Sequence, residues 1–222
     1  MKNGIFSGNA LKIIAMISML IDHIGVILLD NYEPFRIIGR LAFPIYAYLI
    51  VEGCKHTNNR LFYLLRIFSL GVLCQGVFYF VSQSLYLNIL LTFSVSIMMI
   101  YLLQSAKKNS IITVIFLIAI VALWTGCNRL LTYGIEFDYG FLGIMLPVII
   151  ALSDNRKEKV ILTFSALFLL SQVMGGTQIW SLLSVIPILL YNGRRGKLKL
   201  KNFFYLFYPL HLAILYGLSY VI

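Results

Sequence analysis

The feature that most constrains this fold is a succession of nine apolar runs joined by short polar connectors. The runs cover residues 11–29, 36–53, 61–81, 86–104, 111–125, 139–153, 160–174, 177–192 and 202–222, and a longer polar connector covers 126–138. An α-helix of about 20 apolar residues crosses the hydrocarbon core of a bilayer, and most of these runs approach that length. The sequence therefore predicts an all-α fold, a polytopic integral membrane bundle of about nine transmembrane helices.

The charge distribution predicts how the bundle is oriented. Only 12% of the residues are charged, and thirteen of the 18 basic ones lie in the N-terminal tail and in the connectors after the second, fourth, sixth and eighth runs. This asymmetry follows the positive-inside rule, so we expect the N-terminus in the cytoplasm and the C-terminus outside. The net charge of +10 thus reflects topology and indicates no nucleic-acid partner.

Two further features have unremarkable interpretations. The basic run 193–202, GRRGKLKLKN, is typical of a cytoplasmic anchor that touches anionic lipid, and contact with a phosphorylated ligand is the other reading. Cys54, Cys74 and Cys127 are odd in number and not closely spaced, so they indicate neither a disulfide framework nor a metal site.

The first run contains three ionisable residues, Lys12, Asp22 and His23. Charged groups inside a membrane span are costly, and they mark functional sites by default. Lys12 and His23 are eleven residues apart, which on a helix is three turns plus about 20°, so they share one face. Asp22 is offset from His23 by about 100°, and we expect it to pair with a basic residue from another span.

Arginines near the starts of the next two runs can supply positive charge. Arg36 and Arg40 are four residues apart, on one helical face, and can hold Asp22 and Asp138 or bind an anionic group. Gly39 permits close approach of a second helix, and we expect Pro44 either to kink the span or to open its backbone to hydrogen bonding.

The third and last runs contain the remaining candidates. Arg66 lies inside the third run, whereas Arg60 fits an ordinary anchor at its start. In the last run Tyr208 and His211 flank Pro209, which is typical either of a structural kink or of a catalytic group.

Five motifs resemble those of the TraX family of F-pilin acetylase-like proteins. They are IDHIG (21–25), GRLAFPIYAYLIVEG (39–53), LNILLTF (87–93), DYGFLGI (138–144) and FYPLHL (207–212). The lysine, ten residues and histidine from Lys12 to His23 are also similar to the signature of a wider transmembrane acyltransferase superfamily. The resemblance implies one acyltransferase-like domain over residues 1–222, in a bacterial cytoplasmic membrane.

The resemblance also implies roles for the candidates. His23 matches the essential histidine of the superfamily and Lys12 its basic partner, while the Arg-x-x-Arg pair of the third span is reduced here to Arg66. The implied reaction moves an acetyl group from cytoplasmic acetyl-CoA to an amine or hydroxyl of a peptide, such as a pilin N-terminus, or of an envelope glycan. Catalytic candidates are His23, Asp22, Arg40, Tyr208 and His211, with Arg40, Tyr208 and His211 as oxyanion donors; acetyl-CoA candidates are Lys12, Arg36, Arg60 and Arg66.

Other classes of function remain open at this point. The imidazole of His23 can act as a general base or as a nucleophile that forms an acyl-histidine. Polar residues in membrane spans also occur in transporters and channels for small polar or anionic solutes. A non-catalytic membrane component of a conjugation or secretion system is a third reading.

Overall fold

The computed structural model describes residues 4–197 and 201–221, and over these residues the fold is all-α. The helices are α1 (Gly8–Ile27), α2 (Glu33–Gly39), α3 (Ala42–His56), α4 (Arg60–Ser82), α5 (Ile89–Ala106), α6 (Ser110–Leu131), α7 (Gly140–Ile150), α8 (Arg156–Met174), α9 (Val185–Leu189) and α10 (Lys201–Ser219), with a 3-10 helix at Gly176–Ser184. Two short strands, β1 (Tyr86–Leu87) and β2 (Glu136–Phe137), pair in parallel. Lys2 and Lys199, which contribute to the predicted orientation, lie outside the described residues.

Polar residues in the connectors determine where several helices begin. The Asn59 side chain accepts a hydrogen bond from the Phe62 N–H at 2.9 Å, and Asn88 accepts one from the Leu90 N–H at 3.0 Å. Such side chains satisfy the free N–H groups of a first helical turn. Pro44 lies in the first turn of α3, just after the break that separates α2 from α3, where a missing N–H is tolerated.

Five helical segments of the described chain are long and apolar enough to cross a membrane, as expected for a membrane protein. They are Gly8–Ile27, Glu33–His56, Arg60–Phe80, Ile89–Ala106 and Ser110–Leu131. Shorter apolar helices cover Gly140–Ile150, Gly176–Leu189 and Leu206–Ser219. The seventh predicted run coincides with α8, which is in neither group, so each of the nine predicted runs coincides at least in part with helical structure.

Three predicted boundaries were wrong. Helix α6 continues to Leu131 through part of the connector predicted at 126–138, because the isolated polar residues there do not interrupt its backbone hydrogen bonds. The fourth run starts late, since residues 86–87 form β1 and Asn88 caps α5. The eighth run is a 3-10 helix followed by the short helix α9.

The chain divides into two compact units. The first comprises residues 1–49 and 155–222, in which α1 packs against α2 and α10, and the 3-10 helix packs against α2, α8 and α9. The second comprises residues 50–154, in which α5 packs against α4, α6 and α7. The first unit contains α1 and α10, and it brings His23 together with the last predicted span.

Candidate functional site

The central contact of the site joins the two histidines of the first unit. Nδ1 of His23 on α1 lies 2.7 Å from Nε2 of His211 on α10, although the residues are 188 positions apart. The ring centroids are 5.0 Å apart and the ring planes are inclined by only 16°. His211 is buried, with 5% of its surface exposed, and His23 is half-buried. The two imidazoles therefore share one hydrogen bond inside the protein.

The backbone of α10 determines the direction of that bond. Nδ1 of His211 lies 2.8 Å from the carbonyl oxygen of Phe207, which can only accept, so this nitrogen carries the proton. In a neutral imidazole the other nitrogen, Nε2, is then an acceptor. His23 consequently donates its Nδ1–H to His211, and its own Nε2 retains a lone pair. This is the tautomer that a general base or a nucleophile requires.

Aromatic contacts hold the His211 ring in place. The Phe207 ring stacks on it with centroids 4.7 Å apart and planes inclined by 5°, and the Tyr208 ring meets it edge-on at 5.7 Å. Both nitrogens of His211 are occupied, one donating to a carbonyl and one accepting from His23. The predicted role of His211 as an oxyanion donor therefore does not fit, because the neutral ring has no N–H left to donate.

Lys12 and His23, both on α1, each contact a residue of α10. Its ammonium lies 5.5 Å from the centroid of the Phe204 ring on α10, while His23 contacts His211 further along that helix. Both residues therefore face α10, which confirms that they share a face of α1. The earlier residue of α1, Lys12, contacts the earlier residue of α10, and the later residue, His23, contacts the later one. The two helices therefore run in the same direction. The predicted orientation requires this of the first and ninth spans.

A second basic segment lies at the start of α1. The N–H groups of Gly8 and Asn9 donate to the carbonyl oxygens of Arg194 and Arg195, at 2.8 and 2.9 Å. This pairing brings Arg194 and Arg195 to the first turn of α1, about one turn before Lys12. The sequence interpretation treated these arginines as an anchor; their proximity to Lys12 follows from backbone pairing between distant segments and has no local sequence signal.

An apolar groove of about 390 Å³ borders His211. Its lining residues are Leu20, Phe203, Leu206, Phe207, Leu210, His211 and Ile214. The members from α10 recur at helical spacing over eleven residues, a length of about 16 Å. The groove therefore extends along α10 from the level of the ring that Lys12 contacts to beyond His211.

Asp22 pairs with both arginines of the predicted pair. Its Oδ2 lies 2.7 Å from Nη1 of Arg36, and its Oδ1 lies 3.6 Å from Nη2 of Arg40. Asp22 thus faces α2, whereas its neighbour His23 faces α10, in agreement with the predicted offset. Asp138 was the other acid considered for the arginine pair, and it lies in the second unit. It accepts a hydrogen bond from the Tyr86 hydroxyl at 2.8 Å. Burial raises the pKa of the Tyr86 hydroxyl, and the neighbouring Asp138 carboxylate raises it further.

Gly39 makes the Asp22 contact possible, and its replacement is a test. A Cβ at Gly39 would overlap the Asp22 side chain. We expect Gly39→Ala to lower the free energy of unfolding by about 1–3 kcal/mol, the usual cost of overpacking. Thermal unfolding of the detergent-solubilised protein measures this. Gly76→Ala is the control, since a Cβ there meets nothing within 4 Å and its melting temperature should not fall; equal melting temperatures for the two variants would contradict the close approach.

The other two predicted arginines lie in the second unit. The guanidinium of Arg60 lies 5.2 Å from the centroid of the Tyr101 ring, and that of Arg66 lies 5.0 Å from the Phe62 ring. Their roles in binding acetyl-CoA stay predictions. Cys54, Cys74 and Cys127 are free thiols, and among the described residues no group of three or more His, Cys, Asp or Glu side chains could hold a metal ion.

Comparison with known proteins places this arrangement in a family. The chain is 27% identical, over an alignment of 247 residues, to a probable fimbrial assembly protein FimC of serogroup H1 from Dichelobacter nodosus. That alignment covers 95% of this chain and 94% of the relative. No solved structure matches the chain. The family model described as TraX protein matches residues 7–219, so this chain belongs to the TraX family.

Proposed function

We propose that this protein is a membrane-embedded acetyltransferase. It would move an acetyl group from cytoplasmic acetyl-CoA to an amine or hydroxyl acceptor at the outer side of a bacterial cytoplasmic membrane. The observation that carries the proposal is the hydrogen bond from His23 to His211, which leaves Nε2 of His23 with a lone pair. A base oriented in this way, on a membrane helix that also carries Lys12, suits transfer of an acyl group between two substrates.

The basic end of α1 would bind the donor. Lys12 and Arg195 place positive charge where the predicted orientation puts the cytoplasmic surface, and phosphate groups are natural partners for such charges. The groove along α10 supports an elongated path from this end toward His211. Arg60, Arg66 and Arg36 remain candidates for further phosphate contacts.

The chemical step follows from the His23 tautomer. Nε2 of His23 takes the proton of the acceptor N–H or O–H while the acceptor atom attacks the thioester carbon. The tetrahedral intermediate then expels the thiolate of CoA, which receives the proton from the imidazolium. While His23 is charged, its Nδ1–H still donates to the lone pair of His211, and this stabilises the charge. Arg40 and Tyr208 remain the candidates for stabilising the oxyanion.

The nucleophilic route uses the same lone pair. Nε2 of His23 attacks the thioester carbon itself, and CoA leaves as the thiolate, which takes up a proton from water. The acceptor then displaces the imidazole from the acyl-histidine, and the acceptor's proton passes to the freed Nε2 and from there to water. Ping-pong kinetics would identify this route, whereas the general-base route requires both substrates to be bound together.

The family relative suggests the class of acceptor. Its name, a probable fimbrial assembly protein, supports a pilus subunit as one acceptor, with a free amine at a peptide N-terminus. An envelope glycan, with hydroxyl groups, is the other acceptor that the site chemistry permits. Both would approach from the outer side, and both would present a proton that Nε2 of His23 can remove.

Radiolabelled acetyl-CoA tests the function directly. The purified protein, reconstituted in vesicles, is incubated with the donor and with envelope proteins and glycans from cells that lack the gene. We expect label to appear in an acceptor fraction at a rate well above that of empty vesicles. Label that never leaves CoA, in the presence of both fractions, would overturn the proposal.

Replacing Lys12 tests the donor end of the site. We expect Lys12→Gln to raise the KM for acetyl-CoA about tenfold, because one charge-assisted contact to phosphate is lost. The KM for acetyl-pantetheine, which has no nucleotide, should stay unchanged. Lys107→Gln is the matched control, since that ammonium is occupied by the carbonyl oxygens of Ala151 and Leu152. Equal effects on both donors would contradict the phosphate role.

A further inference from the structure

The 3-10 helix that follows α8 presents a buried polar stripe. Gln178, Ser181 and Ser184 recur every third residue, and their exposed fractions are 3%, 0% and 0%. In a 3-10 helix, side chains at this spacing are aligned along one face. A stripe of three polar side chains inside an apolar membrane protein requires hydrogen-bond partners, because each buried polar group that lacks one is costly.

Partners are present for part of the stripe. Ser184 donates its hydroxyl to the carbonyl oxygen of Ser181 at 2.6 Å. Nη1 of Arg40 donates to Oε1 of Gln178 at 3.3 Å, which fixes the orientation of the amide because a guanidinium cannot bond to its NH₂ group. The same arginine also pairs with Asp22. The stripe is thus connected to the acidic residue that precedes His23.

Two donors of the stripe have no partner among the described residues. They are Nε2 of Gln178 and Oγ of Ser181, and Oδ1 of Asp22 likewise accepts no hydrogen bond there. Other buried hydroxyls of this unit behave differently: Thr163 donates to the Lys159 carbonyl at 2.6 Å and Ser171 to the Phe168 carbonyl at 2.7 Å. Ser181 therefore differs from these two buried hydroxyls of its own unit.

We propose that Gln178 and Ser181 bind an oxygen atom of the acyl acceptor and so determine acceptor specificity, an inference that rests on the proposed function. Both groups offer protons, so the group bound is a hydrogen-bond-accepting oxygen such as a carbonyl. Oδ1 of Asp22, which lies 3.6 Å from Nη2 of Arg40 and accepts no hydrogen bond from the described residues, can accept one from the same molecule.

The position of Asp22 along α1 indicates that the group bound by the stripe belongs to the acceptor and not to acetyl-CoA. Asp22 lies ten residues beyond Lys12, about 15 Å along the helix, and so at the level of His23 rather than at the phosphate-binding end. Asp22 contacts α2, whereas His23 contacts α10. Through Arg40 and Asp22 the stripe is therefore connected to the residue next to His23, on a different face of α1 from the imidazole, and we assign it to the body of the acceptor and not to the reacting carbon.

Four small acceptors test the assignment. Alaninamide and lactamide carry a carbonyl group next to the reacting amine or hydroxyl, while sec-butylamine and 2-butanol have a similar shape without it. We expect the unmodified protein to prefer the carbonyl-containing member of a pair by about tenfold in kcat/KM, the value of one or two hydrogen bonds. Ser181→Ala and Gln178→Glu should each reduce that preference about fivefold. The glutamate still offers Arg40 an oxygen but has no N–H.

Thermal unfolding supplies a readout that does not depend on turnover. Ser181→Ala removes a hydroxyl without a partner, so its melting temperature should be unchanged or higher. Ser184→Ala is the control: it loses a hydrogen bond that is present, so its melting temperature should fall while the carbonyl preference stays. If Ser181→Ala is destabilised as much as Ser184→Ala, the Ser181 hydroxyl binds only an ordered water and has a purely structural role. That result would overturn the inference. An unchanged preference in both site variants would overturn it as well, whereas absence of transfer from labelled acetyl-CoA to any acceptor would overturn the proposed function.

Discussion

Replacing His23 with alanine is expected to reduce acetyl transfer to the acceptor by about 10²–10⁴-fold in kcat, the usual contribution of a general base. The KM for acetyl-CoA should change little, because the donor is held by charges near Lys12 and not by the imidazole. Single-turnover transfer from radiolabelled acetyl-CoA measures the effect. If His23 is the nucleophile instead, the same variant should retain no transfer at all, and the unmodified protein should show an acetylated-enzyme burst.

The chain offers a matched control for this experiment. His56, on α3, is exposed and lies 3.7 Å from the Glu52 carboxylate in the second unit. We expect His56→Ala to transfer acetyl groups at a rate within about twofold of the unmodified protein, as is usual for surface substitutions. A His23→Ala protein that folds, binds acetyl-CoA and still turns over at the normal rate would exclude the imidazole from catalysis.

Much of the fold could be predicted because the bilayer imposes helix length. A span of about 20 apolar residues is a local property of the sequence, so runs such as 11–29 and 61–81 are visible without any knowledge of packing. The boundary at the C-terminal end of α6 was wrong because isolated polar residues do not end a helix whose backbone hydrogen bonds continue through them.

The site could be predicted only as far as helical periodicity reaches. The common face of Lys12 and His23, and the different direction of Asp22, follow from about 100° per residue along α1. The pairing of Asp22 with Arg36 also followed from the cost of an unpaired charge in a membrane. In each case the sequence predicted which way a side chain points or that its charge needs a partner, whereas only the structure identifies the residue that it contacts.

What sequence reasoning missed depends on contacts between distant segments. His23 and His211 were both candidates, but no pattern indicates that their rings meet across 188 residues. The role of His211 therefore changed from oxyanion donor to hydrogen-bond acceptor. The stripe of Gln178 and Ser181 was missed because nothing local distinguishes a 3-10 helix from the α-helix that an apolar run predicts.

The second large effect is expected at His211, and it tests the orientation of the base. If His211 only accepts the Nδ1–H of His23, any side chain that offers an acceptor atom at this position should preserve the useful tautomer. We expect His211→Phe, which fills the space without an acceptor, to lower kcat by about 10²–10³-fold. His211→Gln, whose amide oxygen can accept, should recover a substantial part of that loss. The KM for acetyl-CoA should be the same in both variants.

A ¹⁵N NMR measurement of labelled His23 separates positioning from mere packing. In the unmodified protein Nδ1 should carry the proton and Nε2 should be bare, and the glutamine variant should show the same pattern. In the phenylalanine variant the His23 ring loses its acceptor, so both tautomers should be populated. The rest of the fall in kcat comes from loss of the His211 lone pair that stabilises the His23 imidazolium. A phenylalanine variant with normal kcat, or a glutamine variant as inactive as the phenylalanine one, would show that the hydrogen bond between the two histidines does not prepare His23 for catalysis.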